Sequence, residues 1–245
     1  MPKAHPELSL VVPAYNEEEN LPALIQEVTR AMERVGRPWE LILVDDGSKD
    51  ASLSVMRALA GQQPQIRYIS FAKNSGQSAA FGAGFQEARG KLIITLDADL
   101  QNDPADIPDM LSLLEQGTYD MVIGWRALRQ DSAAKRWASR LGNAARNWLS
   151  HENIKDTGCS LKILRADIAK RLPMFTGMHR FLPTLMKMHG ATVAEITVNH
   201  RPRLRGVSKY GIWDRARTTF FDLLAIRWMQ ARHVNYAIKE RKENA

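Results

Sequence analysis

Between Leu8 and Gly124 the chain alternates short apolar runs with longer stretches in which apolar residues return every three or four positions. That alternation admits few architectures, because strands separated by helix-length crossovers must lie parallel, with helices covering both faces of the sheet. The short runs fall at residues 8–12, 40–44, 66–71, 92–96 and 121–124, and the first, second and fourth are rich in Val, Ile and Leu, as burial on both faces requires. Between the first two runs, Leu21, Leu24, Ile25, Val28, Ala31, Met32 and Val35 share a helical face, and Gly36 closes the helix. Asp50 is placed to cap a second helix through Leu59, and residues 75–88 make a third despite their glycines. The fold class expected is α/β, a mixed, mainly parallel Rossmann-like sheet flanked by helices.

Beyond residue 125 the pattern changes. Arginine, lysine and tryptophan replace the regular alternation through Leu149. Further strands are expected at 156–164 and 192–199, a helix at 181–189, a basic amphipathic helix at 211–232 and a frayed tail from 239. A net charge of +7 fits a nucleic acid, an anionic membrane surface or a polyanionic small molecule as partner. Cys159 has no cysteine to pair with, and the first residues lack the apolar core of a secretory signal, so a reducing, cytoplasmic setting is expected. No run approaches the roughly 20 apolar residues that span a bilayer, so contact with a membrane is expected from its surface.

In an open parallel sheet, ligands bind beyond the carboxyl ends of the strands. The first run leads into Pro13, Tyr15, Asn16 and Glu17, the second into Asp45 and Asp46, and the fourth into Asp97, Ala98, Asp99, Leu100 and Gln101. Aspartates one residue apart, followed by an amide, are hard oxygen ligands suited to Mg²⁺ or Mn²⁺ that keeps waters and substrate phosphates. Asp99, Asn102 and Asp103 serve equally well as turn or cap residues before Pro104. The Asp45-Asp46-Gly47-Ser48 turn has the same two readings. A carboxylate there that faces outward can accept hydrogen bonds from a nucleoside, with Pro13 and Tyr15 supplying backbone contacts and an aromatic wall.

Taken together and in order, VVPAYNEEENL, ILVDDGSKD and ITLDADLQNDP resemble the family 2 glycosyltransferases of GT-A fold. DADLQ and the later HRPRLRGVSKYG resemble the polyprenol-phosphate sugar transferase branch, which includes dolichol-phosphate mannose synthase. The resemblance implies that Pro13, Tyr15, Glu17, Val44 and Asp46 hold the nucleoside. It places Asp97, Ala98 and Asp99 at the ribose, sugar and diphosphate, with Asp99 and Gln101 on the metal. Arg126, Arg203 and Lys209 would neutralise the donor and acceptor phosphates, and with Asp97 and Asp99 they form the expected catalytic set. The activity implied is inverting transfer of a sugar from a GDP- or UDP-sugar to dolichyl or undecaprenyl phosphate at the cytoplasmic membrane face. On this reading residues 1–210 form the GT-A domain, with a donor half at about 8–125 and an acceptor half at about 126–210, followed by the helix and tail at 211–245.

Charge explains why such a site needs these residues: two phosphorylated anions must share one cleft, and arginine forks with a lysine point charge gather them where metal alone does not. Each basic residue can also be a plain solvated charge, and for Lys135, Arg136 and Arg140 an exposed helix face explains as much. A lipid phosphate is already anionic, whereas a sugar or protein hydroxyl acceptor needs a base, for which Asp156 is the candidate. Asp156, Thr157 and Gly158 stand where the resemblance leads one to expect Thr-Glu-Asp in a processive synthase. Of that group's Gln-x-x-Arg-Trp motif only Arg227 and Trp228 remain, with Leu224 at the glutamine position. A noncatalytic nucleotide-sugar-binding protein is disfavoured because Asp97, Asp99 and Gln101 are all present, and nucleic acid because acidic strand ends repel its phosphates. At His200 the resemblance points weakly to a site role, while a lone histidine is usually structural. Residues 209–232 mix tryptophan, phenylalanine and leucine with arginine, as a helix at a membrane interface does; such a helix can also simply pack on its own domain. The partners expected are a nucleotide sugar, a polyprenyl phosphate, and the membrane surface or a membrane-embedded protein.

Overall fold

The computed structural model of the protein describes residues 5–127, 154–202, 212–234 and 240, and for 212–220 the backbone alone. In chain order the elements are β1 (Leu8–Ala14), α1 (Leu21–Val35), β2 (Trp39–Asp45), α2 (Ser52–Gln62), β3 (Ile66–Ser70), α3 (Gln77–Glu87) and β4 (Leu92–Thr95). A 3-10 turn at Pro104–Asp106 leads into α4 (Ile107–Gln116) and β5 (Met121–Trp125). Then come β6 (Lys162–Arg165), α5 (Ala166–Ala169), a 3-10 turn at Met178–Arg180, α6 (Leu182–Met188), β7 (Val193–Thr197) and α7 (Ile212–Arg232).

The strands form one sheet in the order β3-β2-β1-β4-β6-β5-β7. β1 pairs in parallel with β2 on one side and β4 on the other, and β2 pairs in parallel with β3. The order therefore reverses around β1, which opens a crevice at the carboxyl ends of β1, β2 and β4. β6 is inserted between β4 and β5 and runs antiparallel to both, while β5 and β7 are parallel. The chain on either side of residue 125 thus belongs to a single sheet.

Side chains on β1 alternate between two cores. Leu8, Leu10 and Val12 pack with Leu41, Leu43 and the apolar stripes of α1 and α4, while Val11 joins Ile42, Val44, Phe81 and Phe85 on the other face. On α1 the expected stripe, Leu21, Leu24, Ile25, Val28, Ala31 and Met32, is buried, and Gly36 ends the helix with φ 67°. Each of the larger side chains stabilises the fold by about 1.5–3 kcal/mol. The glycines of α3 have a packing cause, since a Cβ on Gly84 would fall 2.2 Å from Val11 Cγ1. The missing side chain at Gly84 lets the helix lie directly on β1, while at Gly82 a Cβ would run into the Met174 side chain.

Several expected elements are shorter in the structure. Of the run 156–164 only the part from Lys162 is strand; the preceding residues turn, because Asp156 and Ser160 are bonded to side-chain partners and not to a ladder. The Asp50 carboxylate accepts from Ser52 N at 3.0 Å and Glu18 N at 3.3 Å, tying the start of α2 to the turn between β1 and α1, although the residue preceding the helix is Ala51. Of α7, Leu223 and Ile226 are buried in the second core, while Phe221, Leu224 and Trp228 on the same helix are 60%, 46% and 66% exposed. The described part is apolar on two sides and not on one. Among the described residues no helix is long and apolar enough to cross a membrane.

Glu40 anchors the far end of the sheet. It is buried, and its carboxylate accepts from Ser9 Oγ at 2.7 Å, Arg89 N at 2.7 Å and Arg67 Nη1 at 2.9 Å. Replacing Glu40 with Ala strands these donors, so unfolding in urea should show a loss of about 3 kcal/mol. A loss below about 1 kcal/mol would show that water replaces the carboxylate without penalty.

Candidate functional site

The carboxyl ends of β1, β2 and β4 bring the acidic residues to one edge, where each carboxylate is held by specific donors. Asp45 is buried and accepts from Ser48 N at 2.9 Å and Ser70 Oγ at 2.7 Å. Asp46 is also buried, and it accepts from Asn74 Nδ2 at 2.9 Å, Ser75 N at 2.6 Å and Gly76 N at 2.9 Å. Both aspartates therefore organise loops, and Asp46 orders the entry to α3. Gly47 makes that arrangement possible: its φ is 70°, and a Cβ there would lie 2.5 Å from the Lys73 backbone carbon.

The other residues expected at a nucleoside surround this loop. Pro13, in β1 next to its last residue, and Tyr15 and Glu17, on the segment leaving it, are half-buried; Glu17 takes Asn20 Nδ2 at 2.7 Å on its carboxylate. Val44 is wholly buried in the second core, so only its backbone is placed to meet a ligand. Ala98 is buried as well.

Asp97 accepts from Gln77 Nε2 at 2.7 Å on Oδ1 and from Ser160 Oγ on Oδ2. Burial, then the negative charge of Asp99, pushes its pKa up to about 6, against the opposing effects of the Ser160 hydrogen bond and the charges of Lys162 and Arg126. Asp99 is buried and accepts from Gln101 N at 3.2 Å. Leu100 between them has φ 61°, a left-handed conformation costly for a branched side chain and found where a site fixes it. Asp103 acts as a cap, accepting from Ala105 N at 3.0 Å. Asp103 takes the turn role expected of it, and Asp99 makes a turn bond as well, to the Gln101 amide.

Gln101 lies against the strand-like segment at His200 and Arg201. Arg201 N donates to Gln101 O at 2.9 Å, Gln101 Nε2 reaches Arg201 O at 3.4 Å, and Asn102 bridges to His200. Arg201 is itself fixed by Glu27 at 2.8 Å and Asp103 at 2.7 Å. The chain leading to Arg203 is therefore anchored beside Gln101. Arg203 and Lys209 lie outside the described residues, as do Lys135, Arg136 and Arg140.

Arg126 follows β5 and forms a fork with Asp156: Nε to Oδ2 at 2.7 Å, Nη2 to Oδ1 at 2.9 Å. Burial works against the guanidinium charge, but the hydrogen bonds and charge of Asp156 outweigh it, and the pKa of Arg126 is raised. Lys162, on β6, is buried and donates to the Cys159 carbonyl; burial lowers its pKa, while Cys159, Asp97 and Asp156 pull the other way. Gln77, Ser160 and Lys162 were not among the residues expected from sequence. For Lys162 a signal existed, since a lysine inside the apolar run Leu161-Lys162-Ile163-Leu164 is buried with a partner or not at all.

Among the described residues, no group of three or more His, Cys, Asp or Glu is arranged to hold a metal by itself. Asp99 and Gln101 offer oxygens that suit a cation completing its shell with phosphate and water.

The glycosyl transferase family 2 model matches residues 9–172. The chain belongs to that family. It is 43% identical over 224 residues to a dodecaprenyl-phosphate galacturonate synthase of Rhizobium johnstonii, covering 90% of this chain and 66% of the relative. It is 40% identical over 218 residues to an undecaprenyl-phosphate 4-deoxy-4-formamido-L-arabinose transferase of Pseudomonas aeruginosa, covering 89% and 64%. The chain thus spans somewhat less than two thirds of these relatives' length. In fold it is similar to glucosyl-3-phosphoglycerate synthase from Mycobacterium tuberculosis, solved with Mn²⁺ and UDP-glucose, at a TM-score of 0.70 and 19% identity over 92% of this chain and 80% of that one. A mannosyltransferase from Pyrobaculum calidifontis, solved with GDP-mannose and Mn²⁺, gives a TM-score of 0.63 at 18% identity over 97% and 67%. The sheet and its helices are those of the GT-A glycosyltransferases.

In this family 2 chain, Asp156 matters first as the counter-ion of Arg126. Changing Asp156 to Ala leaves a buried guanidinium unpaired, and stability measured by urea unfolding should fall by about 3 kcal/mol. A change within about 0.5 kcal/mol would mean that the fork contributes nothing to the folded state.

Proposed function

We propose that the chain catalyses inverting transfer of a sugar from a GDP- or UDP-sugar to a polyprenyl phosphate, dolichyl or undecaprenyl. The observation that carries this reading is the Arg126–Asp156 fork. It pairs the carboxylate that a hydroxyl acceptor would need as base with a buried cation, which favours the ionised acid over one that takes up a proton, and it fixes an arginine at the end of β5. The relatives named as dodecaprenyl- and undecaprenyl-phosphate enzymes support the same acceptor.

In this scheme Pro13, Tyr15, Glu17 and the Val44 backbone hold the nucleoside, and Asp46, whose carboxylate is taken up by Asn74, Ser75 and Gly76, serves it only by bracing the adjoining loop; Asp97, Ala98 and Asp99 face the ribose, sugar and diphosphate. Mg²⁺ or Mn²⁺ on Asp99 and Gln101 supplies charge neutralisation for the departing nucleoside diphosphate. An oxygen of the lipid phosphate attacks the anomeric carbon from the face opposite the diphosphate; the new carbon–oxygen bond forms as the old one breaks. No proton has to move, because a phosphate monoester is already ionised at neutral pH. The remaining work for the protein is to orient the reactants and balance their charge, which falls to Arg126, Arg203 and Lys209. Residues 8–125 serve the donor, residues 126–210 the acceptor.

Access to a lipid substrate comes from α7. Phe221, Leu224 and Trp228 recur at helical spacing on its exposed side, with Arg227 and Arg232 also exposed, while Leu223 and Ile226 hold the helix to the domain. Apolar side chains beside arginines suit the boundary between headgroups and acyl chains of an anionic membrane at its cytoplasmic face.

The decisive assay offers labelled UDP- and GDP-sugars with a short polyprenyl phosphate, with Mg²⁺ or Mn²⁺ and with chelator. Label should enter the lipid phase only with metal, and Asp99→Ala should lower the rate by about 100-fold or more. Transfer confined to hydroxyl acceptors would defeat the proposal. Separately, co-sedimentation with phosphatidylglycerol-containing vesicles should fall about tenfold in the double variant Phe221→Glu, Trp228→Glu. Unchanged sedimentation would remove α7 from the membrane contact.

A further inference from the structure

Asp97 is gripped from opposite sides by side chains distant in sequence. Gln77, at the first position of α3, donates to Oδ1 at 2.7 Å, and Ser160 donates to Oδ2. Ser160 is in turn tied to the strand that carries Asp97: its carbonyl accepts from Thr95 Oγ1 at 2.5 Å, and Thr95 is the last residue of β4. The neighbouring Cys159 carbonyl receives the buried ammonium of Lys162, which stands opposite Thr95 in the β4–β6 register. Ser160 is thus fixed to β4 through its own carbonyl, and its neighbour is fixed to β6, which pairs with β4.

We propose that Ser160 is a positioning residue for sugar transfer, its hydroxyl setting the rotamer of the Asp97 carboxylate so that the lone pairs left over face the donor. Each carboxylate oxygen accepts two hydrogen bonds, and Gln77 and Ser160 take one on each. The second site on each oxygen is left for hydroxyls of the nucleotide sugar. A fixed donor is needed because Asp97 and Asp99 are like charges two residues apart, whose repulsion favours swinging one carboxylate aside. A displacement of about an ångström is enough to forfeit much of an oriented contact. Residues 156–162 also carry Asp156 on Arg126, so one short segment registers the donor carboxylate and the phosphate-facing guanidinium against each other.

The proposal rests on reading residues 97–101 as the donor site, and the test separates the two. Calorimetry measures binding of UDP and of GDP, each with Mn²⁺, to the full chain as wild type, Ser160→Ala, Ser160→Thr, Asp97→Ala and the Ser160→Ala, Asp97→Ala double variant. For the nucleotide that wild type binds, Ser160→Ala should weaken affinity about tenfold, the loss of one hydrogen bond to a charged group. Ser160→Thr should stay within about twofold of wild type, since the hydroxyl is kept. In the Asp97→Ala background Ser160→Ala should add nothing, because it acts only through Asp97. Wild-type affinity in Ser160→Ala, or an equal loss whether or not Asp97 is present, would overturn the positioning role while leaving the donor site standing. Wild-type affinity in Asp97→Ala, or no binding of either nucleotide by wild type, would overturn both.

Discussion

The structure is organised around the cost of placing several carboxylates at one end of a buried parallel sheet. Taking a carboxylate out of water is penalised by several kcal/mol unless donors replace the water, and like charges nearby raise the penalty. Asp45, Asp46, Asp97 and Asp99 each meet that demand with a separate set of donors: Ser48 and Ser70, then Asn74 to Gly76, then Gln77 and Ser160, then the Gln101 amide. The loops at this edge therefore owe their conformation to the acids they carry. Positive φ at Gly47 and Leu100 follows from the same requirement, since each turns the chain to aim a backbone group or a side chain at the cluster.

Neutral donors alone leave net negative charge, and the opposing cations come from the later half of the chain. β6 is the means of delivery. By entering antiparallel between β4 and β5 it places Lys162 beside Thr95 and Ile123, beneath both the acidic end of β4 and the arginine that follows β5. Its approach segment supplies Ser160 to Asp97 and Asp156 to Arg126. A parallel strand there would need a crossover and would bring its opposite end to this edge.

The parallel portion of this architecture was legible because its signal is periodic and local. Apolar runs of strand length with amphipathic spacers gave the early strands and α1, and the rule that ligands gather at carboxyl ends gave Asp97, Asp99 and Gln101 as a group. The antiparallel insertion of β6 was not legible, since Leu161 to Leu164 reads the same in either direction and nothing local says which strands will flank it. Gln77 and Ser160 escaped for a related reason: a lone polar residue acquires meaning only from the distant carboxylate it meets. The inward turn of Asp46 was hidden too, because an acidic turn with glycine looks alike whether its side chain faces solvent or the backbone of residues 75 and 76. For α7, composition showed aromatic and basic residues but not that apolar side chains would divide between the core and the exterior.

The Arg126–Asp156 fork changes what a carboxylate at this place can do. A general base must be free to take a proton, so its pKa must lie near the working pH, and a bidentate partnership with a buried guanidinium opposes protonation of the acid. The same partnership holds the arginine in one orientation through Nε and Nη2, leaving Nη1 outside the fork. An enzyme that must deprotonate a hydroxyl loses by this exchange. One whose nucleophile arrives already charged gains by it, since its need is a cation whose position and charge do not vary with pH. The electrostatics of residues 126 and 156 and the chemistry of a phosphate acceptor therefore make the same demand on the site.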